Sequence, residues 1–258
     1  MKVQILPARQ GWRWILDGFR IFRKFQFMLP VVVLSYWMLM IVLNSVPVIG
    51  PVVATICIPV FSVSLMNVCR LIEQGGQINP ALLLSGFRVH LRTLLVLGAI
   101  YLVAALGILG LTALIDDGAL FHFFVAGREA NVGKTADADT MLSAQVALVF
   151  FAPLMMAYWY APVLAAWHGL SAGKALFFSF VACMRNWRAF LVYSLAIFIG
   201  GAILPGLVLN ILSSFFSGQG NPVLILFTLL VVFIGLPVMY ASFYVSYRDV
   251  FVTIDEDA

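Results

Sequence analysis

The chain has 258 residues, of which 63% are hydrophobic and 10% charged, and its mean hydropathy is +1.06. Soluble domains carry about a quarter charged residues, so this composition excludes a fold whose only solvent is water. The formal net charge of +4 does not imply nucleic acid, because no basic stripe with interleaved stacking aromatics lies outside the segments that flank apolar runs.

The predicted elements begin with a short helix over 12–25. Arg13, Asp17, Arg20 and Lys24 share one of its faces, and Trp12, Ile15, Phe19 and Phe22 share another. Such a helix lies in the plane of a membrane interface. Six apolar runs follow: Phe25–Leu43, Pro51–Cys69, Thr93–Ile115, Met141–Trp167, Ala189–Ser213 and Pro222–Tyr247. A bilayer core of ~30 Å is crossed by ~20 apolar residues, and none of the runs alternates like the ~10-residue strands of a membrane barrel. The first run is expected to be a retained helix, since no small-residue cleavage pattern follows Leu43. A second helix start is Asn79-Pro80, an N-cap residue followed by proline at the first helical position. A third lies at Ser171. Residues 116–140, acidic and containing Gly118, Gly127 and Gly133, are expected to form a loop outside the cell. Cys57, Cys69 and Cys183 lie in or beside apolar runs without CxxC spacing and are expected to be small packing residues.

Charge gives these elements an orientation. Thirteen of the fifteen Lys and Arg residues fall in the N-terminal 24 residues, in 70–92, in 168–188 and at Arg248. The other two, Arg128 and Lys134, share the acidic loop. The basic side is therefore expected to be cytoplasmic, with both termini there.

The same order of events recurs along the chain. Leu16-Asp-Gly-Phe-Arg20 matches Leu84-Ser-Gly-Phe-Arg88, and Ala81-Leu-Leu-Leu-Ser85 is echoed by Ala175-Leu-Phe-Phe-Ser179. His90-Leu-Arg-Thr-Leu-Leu-Val matches Asn186-Trp-Arg-Ala-Phe-Leu-Val. The second, fourth and sixth apolar runs each contain a proline, Pro59, Pro153 and Pro237, which removes a hydrogen bond and bends a helix. The expected fold is a single all-α membrane domain over 1–258. It has six transmembrane helices in three parallel repeats, about 10–74, 75–168 and 169–251, each an interfacial amphipathic helix plus a two-helix hairpin. A pseudo-threefold axis along the membrane normal would relate them.

Trp167-His-Gly-Leu-Ser171, Lys174-Ala-Leu-Phe-Phe-Ser-Phe180, Arg185-Asn-Trp-Arg-Ala-Phe190 and Ser246-Tyr-Arg-Asp249 resemble an uncharacterised family of bacterial multi-pass inner-membrane proteins over most of the chain. The chain is more distantly similar to the membrane domain fused to some glycerophosphodiester phosphodiesterases. The resemblance implies inner-membrane localisation and brings no catalytic residues with it.

No catalytic, cofactor or metal site is expected from the residues. Gly127-Arg-Glu-Ala-Asn-Val-Gly-Lys-Thr135 has five residues between its glycines where a P-loop has four, follows no strand, and faces away from cytoplasmic ATP. His90, His122 and His168 show no HxxxH or HExxH spacing. The centres of the six runs hold no ionisable group for a proton relay. Their polar residues are neutral: Ser62, Ser64 and Asn67, then Tyr158 and Tyr160, then Tyr240, Ser242, Tyr244 and Ser246. Hydrogen bonding between helices is the favoured role for these.

The expected function is non-enzymatic: binding membrane lipids, or scaffolding an unidentified protein partner, through the basic face. Candidate headgroup contacts are Arg20, Arg88, Arg92, Lys174 and Arg188. The alternative is a transporter or channel for a lipid-like or small uncharged solute, with Pro59, Ser62, Pro153, Tyr158, Pro237 and Tyr240 lining a cavity.

Overall fold

The computed structural model describes residues 2–76, 79–121, 138–216 and 221–252. His122, the P-loop-like stretch at 127–135 and most of the acidic loop lie outside them. The described elements are β1 (Lys2–Val3), α1 (Gln10–Lys24), α2 (Met28–Asn44), α3 (Ile49–Glu73), a 3-10 helix (Pro80–Arg88), α4 (Leu91–Thr112), α5 (Ala138–Tyr158), α6 (Ala161–His168), α7 (Ala172–Arg185), α8 (Trp187–Phe198), a π-helical turn (Ile199–Ile203), α9 (Leu204–Phe215), α10 (Pro222–Val250) and β2 (Phe251–Val252). Among the described residues the fold is helical apart from one antiparallel pairing, Lys2 with Val252 and Val3 with Phe251.

Helix ends follow the local chemistry. Asn79 accepts the Ala81 N–H at 3.0 Å and Asn221 accepts the Val223 N–H at 3.0 Å, each followed by proline at the first helical position. Arg23 and Lys24 close α1, where the helix dipole favours cations. Gly169, at φ 62°, ends α6 in the left-handed region.

Five helical segments among the described residues are long and apolar enough to cross a bilayer: Ile49–Glu73, Leu91–Thr112, Asp139–His168, Trp187–Phe215 and Pro222–Val250. The pair α1 and α2, bent by 102° at its break, makes six if it supplies one more. Pro59, Pro153 and Pro237 lie inside α3, α5 and α10, all of which continue through them. The segment Asp139–His168 is interrupted later, at Trp159–Tyr160, just ahead of Pro162. Proline at that position leaves the Tyr158 carbonyl without its helical partner.

The chain divides into two compact units. The first comprises Met1–Ser45, Phe61–Val89 and Ala182–Ala258, and the second Val46–Val60 and His90–Val181. In the first unit α1 packs against α8 and α10. The buried residues of α1 are Gly11, Trp14, Gly18, Ile21 and Phe22. Of the aromatic face expected at the interface, Trp12 and Phe19 are 53% and 42% exposed, while Phe22 joins the buried stripe. A Cβ on Gly11 would sit 2.1 Å from the Ala189 carbonyl oxygen, and one on Gly18 2.6 Å from the Ser242 nitrogen, so the two glycines let the backbones touch. Trp14 is fully buried beside them, with its ring edge-on to Phe190 at 5.4 Å and to Tyr193 at 5.7 Å. In the second unit α4 packs on α5 and α6, and Gly98 of α4 lies against the Ile56 backbone, where a Cβ would fall 2.1 Å from the Ile56 oxygen.

Gly18→Leu should therefore force α1 off α10 and lower the thermal midpoint of the detergent-solubilised protein, with overpacking costing about 1–3 kcal/mol. Gly107→Ala, where the added Cβ meets nothing within 4 Å, should leave the midpoint unchanged or raise it slightly. Equal midpoints for the two variants would refute the close-approach argument.

Candidate functional site

Polar residues that follow the internal prolines bond to neighbouring elements. The fifth residue after each internal proline is Ser64, Tyr158 or Ser242, and each anchors a neighbouring element. Ser64 accepts the Gly86 N–H of the 3-10 helix at 2.9 Å. The Tyr158 hydroxyl donates to the Leu97 carbonyl of α4 at 2.8 Å. The Ser242 hydroxyl lies 2.8 Å from that of Tyr193 on α8 and donates to the Met239 carbonyl. The break before Pro162 is closed in the same way: Ser179 of α7 accepts the Tyr160 N–H at 2.9 Å and donates to the Met156 carbonyl at 2.8 Å. Backbone groups that hydrocarbon would leave unpaired are thereby satisfied inside the protein.

The six residues expected to line one cavity are divided between the units. Ser62, Pro237 and Tyr240 belong to the first, and Pro59, Pro153 and Tyr158 to the second. Pro59 and Pro237 are buried, Pro153 is exposed, and the other three are half-buried. A cleft of about 260 Å³ does exist within the first unit, lined by other residues: Ser35, Tyr36 and Leu39 of α2, Phe61, Ser64 and Leu65 of α3, and Leu83 and Leu84 of the 3-10 helix. Tyr36 links it to Tyr240, ring to ring at 6.3 Å. Sequence periodicity could not find this cleft, because its far wall is a 3-10 helix.

The expected headgroup contacts are all exposed. Arg20, Arg88 and Arg188 lie in the first unit, and Arg92 and Lys174 in the second. Arg20 pairs with Asp17 one turn back, and the Arg188 guanidinium lies 5.5 Å from the Trp187 ring centre. At about 100° per residue, α1 carries three stripes rather than two. Gly11, Trp14 and Gly18 face the protein. Trp12, Leu16 and Phe19 emerge roughly a third of a turn away, and Arg13, Arg20 and Lys24 roughly a third further on.

A second polar cluster joins distant parts of the first unit. Asp249 accepts from Gln10 Nε2 at 2.8 Å and from Trp14 Nε1 at 3.2 Å, and its other oxygen pairs with Arg248. Arg248 also pairs with Glu73, which accepts the Tyr244 hydroxyl. Asn186, 1% exposed, accepts the Leu6 N–H and donates to the Gln4 and Ala182 carbonyls. Among the described residues no group of three or more His, Cys, Asp or Glu is placed to hold a metal ion.

Several membrane-length helices, with large apolar side chains such as Val103, Leu148, Leu195 and Leu226 on their outer surface, define a multi-pass α-helical membrane protein. The chain is 33% identical over 258 residues to a Burkholderia thailandensis protein named "probable inner membrane protein", covering 97% of this chain and 94% of the relative. It belongs to the family of that inner-membrane protein. No family model matches it, and no solved structure does. These comparisons supply no link to glycerophosphodiester phosphodiesterases.

Asn186→Ala would strip the N-terminal segment of two hydrogen bonds and leave the Leu6 N–H without this partner. Stability should fall by about 1–3 kcal/mol, and trypsin should cut after Arg9 several-fold faster than in the native chain. An unchanged cleavage rate would show that Asn186 does not hold that segment.

Proposed function

We propose that the chain is a bacterial inner-membrane protein with six spans in three parallel repeats and both termini in the cytoplasm, and that it acts by binding anionic phospholipid rather than by catalysing a reaction. The β1–β2 pairing supports the topology. Residues 2–3 and 251–252 are hydrogen-bonded neighbours, so they share a side and the number of crossings is even. With five continuous candidates and one bent pair, six is the count that agrees, with α2 as the first crossing. The charge asymmetry then favours the cytoplasm for that side.

The repeats gain support from a recurrent contact. The amphipathic segment of one copy rests on the stretch after the proline in the preceding copy: the 3-10 helix on Ser64, α7 on Met156 and Tyr160, and, returning to the start, α1 on Ser242.

Lipid binding is carried by one observation: the bases Arg20, Arg88 and Lys174 are exposed on segments held in place by these contacts. Each such base near an anionic surface contributes about 1 kcal/mol. Arg20→Gln, Arg88→Gln and Lys174→Gln combined should lower the ratio of phosphatidylglycerol to phosphatidylcholine retained by the purified protein more than tenfold, read by native mass spectrometry from a mixed-lipid bilayer. An unchanged ratio would sink the lipid-face reading. A protein partner released by the same triple change would redirect it to a scaffold.

A further inference from the structure

We propose that the cleft of the first unit holds an acyl chain of an anionic phospholipid, with the headgroup on Arg88; this rests on the lipid-binding reading and gives it a specific seat. The cleft of about 260 Å³ has a buried floor, Phe61 and Leu65, and an exposed apolar rim, Leu39 and Leu84. A methylene occupies about the room of a water molecule, roughly 30 Å³ in the liquid, so the cleft accepts on the order of eight methylenes. Two of its three hydroxyls have bonds of their own, Ser35 donating to the Val31 carbonyl at 2.7 Å and Ser64 accepting the Gly86 N–H, and the third belongs to Tyr36, whose ring packs 5.4 Å from that of Phe61. This lining suits hydrocarbon rather than a polar solute.

Depth and charge fit the same occupant. Leu65 is eight residues before Glu73 at the end of α3, or about 12 Å along a helix. That places the cleft just below the level where α3 ends in Arg70 and Glu73. The wall also supplies the cation. Phe87 packs edge-on to Phe61 of the floor at 5.3 Å. Arg88 follows it, is exposed, and makes no ion pair with any described residue. The wall itself is a nine-residue 3-10 helix, well beyond the usual three or four residues. In the corresponding contact of α1, Gly18 presses directly against the Ser242 backbone.

The test uses the full chain in bilayer discs of phosphatidylcholine containing phosphatidylglycerol, either lipid carrying a photoactivatable group on its acyl chain. After irradiation the adducts are mapped. They should concentrate on Leu39 and Leu84, and those on Leu39 should fall several-fold in Leu84→Trp, which fills the cleft. Ser35→Leu fills it from the opposite wall and should act alike if the first variant does not fold. Arg88→Gln should lower the preference for phosphatidylglycerol about fivefold while phosphatidylcholine adducts persist at the same residues. Labelling of Leu39 and Leu84 no denser than that of exposed Leu148 and Leu226, or unaffected by filling in a folded variant, would overturn the proposal. Arg20→Gln with Lys174→Gln should leave cleft adducts intact. No preference for phosphatidylglycerol in the native chain, with cleft adducts intact, ends the basic-face reading and the headgroup assignment but not the acyl seat, and uniform labelling ends the cleft alone.

Discussion

Hydrocarbon offers no hydrogen bond to a backbone carbonyl or amide that a helix leaves unpaired. This chain interrupts its helices repeatedly, and each interruption has to be answered from within. Ser179 answers the break before Pro162 with two bonds, one to each side of the gap. Ser64 receives the Gly86 N–H of a segment too tightly wound to be α-helical. Ser242 and Tyr193 satisfy one another where α8 meets α10. These bonds are few, but in a low-dielectric interior each unpaired alternative is costly. They therefore fix which helix meets which at positions where apolar packing alone, similar for one leucine face and the next, would not choose.

Much of the membrane architecture was legible in the sequence because its signals are local and redundant. The apolar runs from Thr93 and Pro222 reappear as α4 and α10, and the Asn79-Pro80 start is a capped helix terminus. Polar residues after the prolines do bond between elements. Less legible was which side of a helix is buried. In α1 the face expected at the interface keeps Trp12 and Phe19 exposed, while nothing in the pattern marked the buried stripe through Gly11 and Gly18. Hydrophobicity does not reveal such a face, because glycine contributes by absence: it lets two backbones approach and lets Trp14 fill the remaining space. Pro162 falls within the apolar run Met141–Trp167, whose hydrophobicity does not mark the break at Trp159–Tyr160. The cleft in the first unit was not legible at all, since it depends on a 3-10 helix that no periodicity in Pro80–Arg88 announces. Nor was the role of Asn186, whose partners Gln4 and Leu6 lie about 180 residues away.

The three stripes of α1 join fold to function. A two-sided amphipathic helix can lie on a bilayer and leave it again. With a third side packed against α8 and α10, α1 belongs to the bundle. Its bases are then not free to wander, because the backbone that carries Arg13, Arg20 and Lys24 is held by the contacts of Gly11 and Gly18. A preorganised array of this kind loses less conformational entropy on meeting phosphates than a mobile basic tail would.

The terminal strands extend that argument. Two residues of β-structure are negligible as a sheet, yet they are bracketed by Asn186 and by the cluster around Asp249. Exposed ion pairs such as Arg248 with Glu73 add little alone. Here Asp249 also accepts from Gln10 and from the buried Trp14, and the same network reaches Glu73 at the end of α3. The end of the last helix is thus tied to the first amphipathic helix and to the end of α3. Segments of the first unit far apart in sequence, the N-terminal strand, α1, the end of α3 and the end of α10, are thereby held together.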